Sequence, residues 1–168
     1  MTPLVESLAK YAAYHRDRRN ILTHMVGIPL IVLAVVILLS RPAFELFGLS
    51  LSPAAAAAGA AALFYLRLDV RFGVVMAILL GLCVLLGNFV AGHSTLAWLS
   101  ASVSLFVVGW ALQFLGHFYE RRKPAFIDDV IGLIIGPLFV VAEIAFSLGF
   151  RDEVRAEVAR SATRRNTL

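Results

Sequence analysis

Four histidines, His15, His24, His93 and His117, are the residues of this chain best suited to chemistry. Neutral imidazole is a good ligand for Fe, Zn, Cu or Ni, so the question is which of the four can converge. His15 and His24 could not do so on one unbroken helix, where about 900° of rotation would set them on opposite faces. Arg16-Asp17-Arg18-Arg19 breaks the apolar pattern between them, and Asn20 is a good N-cap for a new helix. Two helices meeting at a corner can aim both rings at one point. His117 lies on a stripe with Trp110, Gln113 and Glu120, at steps of three, four and three. Such a polar stripe running into an apolar helix should face protein or a cavity rather than lipid. Glu120 reads as a ligand, as a partner orienting an imidazole, or as a salt-bridge partner of the adjacent arginines.

His93 is placed differently. Roughly 36 Å of straight helix would separate it from His117. Either His93 is not a ligand, or the chain over 93–101 leaves the helix, and Ser100, Ser102 and Ser104 soften that stretch.

The elements that must position these residues are apolar helices. The chain of 168 residues is 60% hydrophobic, against about 45–50% in soluble domains. The excess is gathered into long runs without charge, as a hydrocarbon core demands. The pattern predicts an all-α integral membrane protein with about four to five transmembrane helices and an N-terminal amphipathic helix. It reads as one membrane-embedded domain over 1–168: amphipathic helix 1–20, transmembrane bundle 21–150 and basic tail 151–168. Residues 3–15 place Leu4, Leu8, Tyr11 and His15 on one helical face.

Spans are expected over 21–39, with a kink at Pro29, then over 51–66, 72–91 and 96–115. A last apolar segment, 130–150, contains Glu143 and is interrupted by Gly136-Pro137. It either spans or bends into a re-entrant hairpin, which would have to be buried in protein. Asp69 between Arg67 and Arg71 is most simply a connector salt bridge, and Asn88 within the third span should find a partner. The five arginines of the tail, from Arg151 to Arg165, suit a solvated or lipid-surface helix.

Basic residues favour the cytoplasmic side. Four alternating spans put the N-terminal segment, the 67–71 connector and the 116–129 connector with Arg121-Arg122-Lys123 on that side. His15, His24, His117 and Glu120 then share one face of the membrane. The net charge of +4 points to anionic lipid headgroups rather than nucleic acid, at about 1 kcal/mol per basic residue near the surface. Cys83, the one cysteine, excludes an intrachain disulfide and a thiolate metal site, and reads as a small buried hydrophobe. The first 24 residues carry six charged side chains and no early apolar region, so a cleavable signal peptide is not expected. Phosphate-binding glycine loops and Ser-His-Asp signatures are absent.

Two blocks carry a resemblance. Tyr14-His15-Arg16-Asp17-Arg18-Arg19-Asn20-Ile21-Leu22-Thr23-His24, followed by Gly27-Ile28-Pro29-Leu30, resembles the start of the 2-hydroxy fatty acid dioxygenase family. Trp110-Ala111-Leu112-Gln113-Phe114-Leu115-Gly116-His117, with Glu120 and Pro124-Ala125, resembles its second signature. One departure is the spacing from His117 to Glu120, which is one residue shorter than in the fungal members.

The resemblance implies an Fe(2+) enzyme of the membrane that shortens a long-chain 2-hydroxy fatty acid by one carbon using O2. Its four essential histidines would be His15, His24, His93 and His117, with Gln113, Glu120, Asn20 and Tyr14 as supporting or substrate-contacting residues. Arg16, Arg18 or Arg19 could attract the substrate carboxylate. The implied partners are the fatty acid, O2 and membrane lipids. The implied location is the cytoplasmic membrane of a bacterium or the endoplasmic reticulum of a eukaryote. Apart from the resemblance, a small transporter or assembly factor would also explain Asn88, Gln113 and Glu143. A zinc hydrolase would use the same ligand types, whereas a di-iron hydroxylase needs more histidines than four.

Overall fold

The computed structural model describes residues 1–46, 49–121 and 131–165. Among these, the elements run in the order α1 (Pro3–Ala12), α2 (Arg18–Leu39), β1 (Phe44–Leu46), β2 (Leu49–Leu51), α3 (Pro53–Leu68), α4 (Val70–Ala91), α5 (Thr95–Glu120), α6 (Ile131–Ser147) and α7 (Asp152–Arg165). The protein is thus a helical membrane protein, apart from a two-stranded antiparallel hairpin that pairs Glu45 with Ser50. The segment Arg122-Lys123-Pro124 and the rest of its connector to 130 lie outside the described residues.

Among the described residues, three helices are long and apolar enough to cross a membrane: α2 and α4 with 22 residues each and α5 with 26. At 1.5 Å per residue, 22 residues rise about 33 Å, enough for a hydrocarbon core of about 30 Å. Two shorter apolar helices, α3 and α6, have 16 and 17 residues. Leu82, Leu85 and Phe89 of α4 are 56%, 66% and 67% exposed, as lipid-facing side chains should be.

The chain divides into two compact units. The first comprises Met1–Ile28 and Leu112–Leu168. Here α1 starts at Thr2, whose hydroxyl accepts from Val5 N at 3.3 Å, with Pro3 in the first turn, where its missing N–H costs nothing. Its apolar face, with Leu4, Val5, Leu8, Ala9 and Tyr11, is buried against α6 and α7. The expected face is therefore present, although the helix stops at Ala12 and His15 follows it in a turn.

The arginine-rich tail is helical as well, but one side of it, with Val158 and Ser161, is buried. Between α6 and α7, Gly149 adopts φ +80, a left-handed conformation that glycine takes without strain. Phe150 N then donates to Ala145 O at 2.9 Å and Gly149 N to Phe146 O at 3.2 Å, closing the end of α6. α6 runs unbroken through Gly136-Pro137, so the re-entrant hairpin does not form. Gly136 instead admits close packing, since a Cβ there would lie 3.2 Å from both Ile28 Cδ1 and the Tyr11 hydroxyl.

The second unit is Pro29–Ala111. α2 continues through Pro29 as one helix. Asp69, expected as a connector salt bridge, acts as an N-cap that separates α3 from α4, its carboxylate accepting from Phe72 N at 3.0 Å. The 95–101 stretch does not leave the helix: α5 begins at Thr95, just after His93 and Ser94, and continues without a break. Ser94 caps α5 by accepting from Ala97 N at 3.2 Å, and Ser102 spends its hydroxyl on Ala34 O at 2.9 Å rather than softening the backbone. Trp98 Nε1 donates to Ile37 O at 2.7 Å. Arg41 donates to Ala91 O, His93 O and Thr95 Oγ1, holding the turn between α4 and α5. Cys83 is half-buried rather than buried, and Asn88 is exposed on α4.

Candidate metal centre

The corner between α1 and α2 is built by Asp17. Its side chain accepts from Arg19 N at 2.8 Å and its carbonyl from Ile21 N at 3.1 Å, so Asp17 is the N-cap of α2. Asn20 is not the cap that the sequence suggests; it lies inside the first turn of α2. Asp17 comes first in the chain and already satisfies the end of the helix, which frees the Asn20 side chain for the interior, where it is fully buried.

Glu120 lies at the last position of α5. Its carboxylate accepts from Arg16 N at 3.1 and 3.0 Å, from Asp17 N at 2.8 Å and from Asn20 Nδ2 at 2.9 Å. One carboxylate thereby fastens the 15–17 corner to the end of α5 through charge-assisted hydrogen bonds. The α5 helix extends through residues 116–120, which the sequence assigns to a connector.

Gly116 allows the same approach. A Cβ on it would overlap Thr23 Oγ1 and Asn20 Oδ1 and would lie 3.0 Å from His24 Nδ1. In the sequence, Gly116 shows only as a side-chain-free position beside a polar stripe.

These contacts bring His15, His24 and His117 together. One ligand nitrogen from each can be chosen so that all lie within 4.8 Å of one another. The ring centroids are 4.6 Å apart for His15–His24, 4.9 Å for His24–His117 and 5.4 Å for His15–His117. All three side chains are buried. His15 Nδ1 donates to Tyr11 O at 2.8 Å and His24 Nδ1 to Asn20 O at 2.9 Å, so each ring keeps its Nε2 lone pair. Burial pushes the His15 imidazole down to about 4, which leaves it neutral and able to donate that pair at neutral pH. His15 Nε2 and His117 Nδ1 are buried without a hydrogen-bond partner among the described residues. Orphaned, neutral, convergent imidazole nitrogens are the donor set that a transition metal requires.

The wall beside them is aromatic. Tyr11 stacks on His15 with centroids 4.2 Å apart and planes 7° apart, and Phe139 of α6 lies 4.8 Å from Tyr11. A cavity of about 190 Å³ opens between α1 and α6, lined by Tyr11, Tyr14, Ser7 and Ile135 among others. Tyr14 thus faces this cavity. Gln113 is buried one helical turn before His117.

His93 is not part of the cluster. It belongs to the second unit, is exposed, and donates from Nδ1 to Phe89 O at 2.9 Å. It precedes α5, an unbroken helix of about 39 Å with His117 in its last turn.

The fold and the site define a membrane-embedded helical protein with a buried three-histidine centre able to hold a metal ion. Residues 1–148 match the sequence family described as Mpo1-like, 2-hydroxy-palmitic acid dioxygenase Mpo1-like, and the chain belongs to that family. It is 30% identical over 155 residues to 2-hydroxy-palmitic acid dioxygenase MPO1 of Saccharomyces cerevisiae, covering 91% of this chain and 86% of the yeast protein. No solved structure matches it.

Proposed function

We propose that this protein is an iron(II)-dependent dioxygenase that converts a long-chain 2-hydroxy fatty acid to the acid one carbon shorter. The reaction consumes one O2 and releases the carboxyl carbon as CO2 together with one water. The observation that carries the proposal is the buried cluster of His15, His24 and His117 in a chain of the Mpo1-like family. Three imidazoles suit iron and zinc alike, but zinc is redox-inert and cannot support oxidation by O2. Iron(II) would supply the electrons that activate O2 and a positive charge for the hydroxy-carboxylate head of the substrate.

The chain's own residues do the rest. The carbonyls of Tyr11 and Asn20 fix the rings of His15 and His24 through their Nδ1–H groups. Glu120 holds the corner that carries His15. Tyr11 and Phe139 keep water from one side of the cluster. Arg16 and Arg18 are exposed at the corner and favour approach of an anionic head group. A site on membrane-spanning helices suits a substrate whose alkyl chain stays in the bilayer, each buried CH2 contributing about 0.8 kcal/mol. The membrane would be the cytoplasmic one in a bacterium and the endoplasmic reticulum in a eukaryote.

The test is incubation of reconstituted, iron-loaded protein with O2 and 2-hydroxypalmitate, followed by mass spectrometry of the lipids. Formation of the fifteen-carbon acid is expected, with palmitate itself unchanged. Absence of that product across a series of 2-hydroxy chain lengths, with iron confirmed in the protein, would refute the proposal.

A further inference from the structure

Four side-chain atoms of the first unit are buried without a hydrogen-bond partner among the described residues: His15 Nε2, His117 Nδ1, Asn20 Oδ1 and Gln113 Nε2. The two imidazole nitrogens suit a metal. Asn20 Oδ1 is covered by Gly116, where a Cβ would overlap it. Gln113 Nε2 remains. Its side chain is only 5% exposed, on a helix that crosses the membrane, and a buried amide N–H is costly to leave unmade.

Gln113 and His117 are four residues apart on α5, so their side chains are neighbours on one face of the helix. The amide nitrogen is a donor only, and the partner it lacks is an acceptor. A carboxylate oxygen is the strongest acceptor that a fatty acid offers, because the hydrogen bond is charge-assisted. Aliphatic chains offer none.

We propose that Gln113 Nε2–H donates to a carboxylate oxygen of the 2-hydroxy fatty acid, holding the head group beside the histidine cluster. The inference rests on the function proposed above and makes Gln113 a substrate-binding residue rather than a metal ligand. It also accounts for a polar side chain one turn deeper in the apolar helix than His117.

The experiment separates carboxylate binding from packing and from metal binding. Wild-type protein, Gln113→Leu and Gln113→Met are loaded with iron and kept free of O2, so that no turnover occurs. Each is titrated with 2-hydroxypalmitate and with hexadecane-1,2-diol, which keeps the chain and the hydroxyl but lacks the carboxylate. Metal content is measured in parallel. Both variants should retain the wild-type metal content and bind 2-hydroxypalmitate about tenfold or more weakly, with unchanged affinity for the diol. Equal weakening for both ligands would reduce Gln113 to a packing role. Unchanged affinity for the acid, or loss of metal from both variants, would equally overturn the inference. Should the leucine variant fail to fold, the methionine variant, which keeps the length of the side chain without the amide donor, decides alone. Metal-loaded wild-type protein that bound no 2-hydroxypalmitate would overturn the proposed function and this inference with it.

Discussion

At the residue scale, the three clustered histidines differ from the fourth. Replacing His15, His24 or His117 with Ala should abolish metal binding and turnover while leaving the protein in the membrane. His93→Ala should retain the wild-type metal content, because the His93 ring is exposed and takes no part in the cluster. Metal analysis of the four purified variants decides this, and loss of metal from the His93 variant would bring that residue back as a ligand. Glu120 makes a different prediction. Each of its hydrogen bonds involves a carboxylate, and such bonds contribute about 1.5–3 kcal/mol where both partners stay ordered. Glu120→Ala should lower the melting temperature and weaken metal binding together, with Glu120→Gln intermediate, as followed by thermal denaturation and metal titration.

The convergence of His15 and His24 was legible in the sequence because Arg16–Arg19 interrupts the apolar pattern, although the corner itself lies slightly earlier, over residues 13–17, and α2 already begins at Arg18. The role of Glu120 was not. Its main partners are backbone N–H groups of a corner more than a hundred residues away in the chain, and the readings as ligand, as partner of an imidazole and as partner of the adjacent arginines stood level in the sequence. Asn20 misled for a related reason. Its residue type suits a cap, but Asp17, three positions earlier, satisfies the helix end first.

At the element scale, the start of α2 and the end of α5 approach each other where Gly116 has no side chain. Gly116→Ala should push Asn20 and Thr23 away, disturb the adjacent His24, and lower both metal occupancy and thermal stability. Gly81→Ala on α4 is the matched control. A Cβ at Gly81 meets nothing within 4 Å, so its stability should stay within about 0.5 kcal/mol of wild type. Equal effects of the two substitutions would show that helix contact at Gly116 does not position the cluster.

Helix existence was largely legible, since long uncharged runs have few other outcomes in a membrane. Helix ends were less so. α5 extends beyond the apolar run to Glu120 because its polar last turn is satisfied by the 15–17 corner, a partner that hydropathy does not register. Gly136-Pro137 looked like a break, yet α6 passes through it and uses the missing Cβ of Gly136 for close packing against Tyr11 and Ile28.

At the scale of the whole molecule, the corner at Arg16 and the end of α5 are joined by hydrogen bonds and must lie on one side of the membrane. Single cysteines at Arg18 and at Arg121, introduced after Cys83→Ala, should therefore be labelled by an impermeant thiol reagent from the same side. Labelling from opposite sides would break the site apart. Basic-residue counts in the connectors pointed to this arrangement from sequence alone, whereas the packing of α7, with Val158 and Ser161 turned inward, was hidden by its four arginines. The central claim is that the chain is a three-histidine iron protein, and elemental analysis of untagged protein purified without O2 tests it most directly. One iron per chain is expected in the wild type, and none in His24→Ala. Zinc as the sole metal, no metal, or iron retained at full stoichiometry in His24→Ala would contradict it.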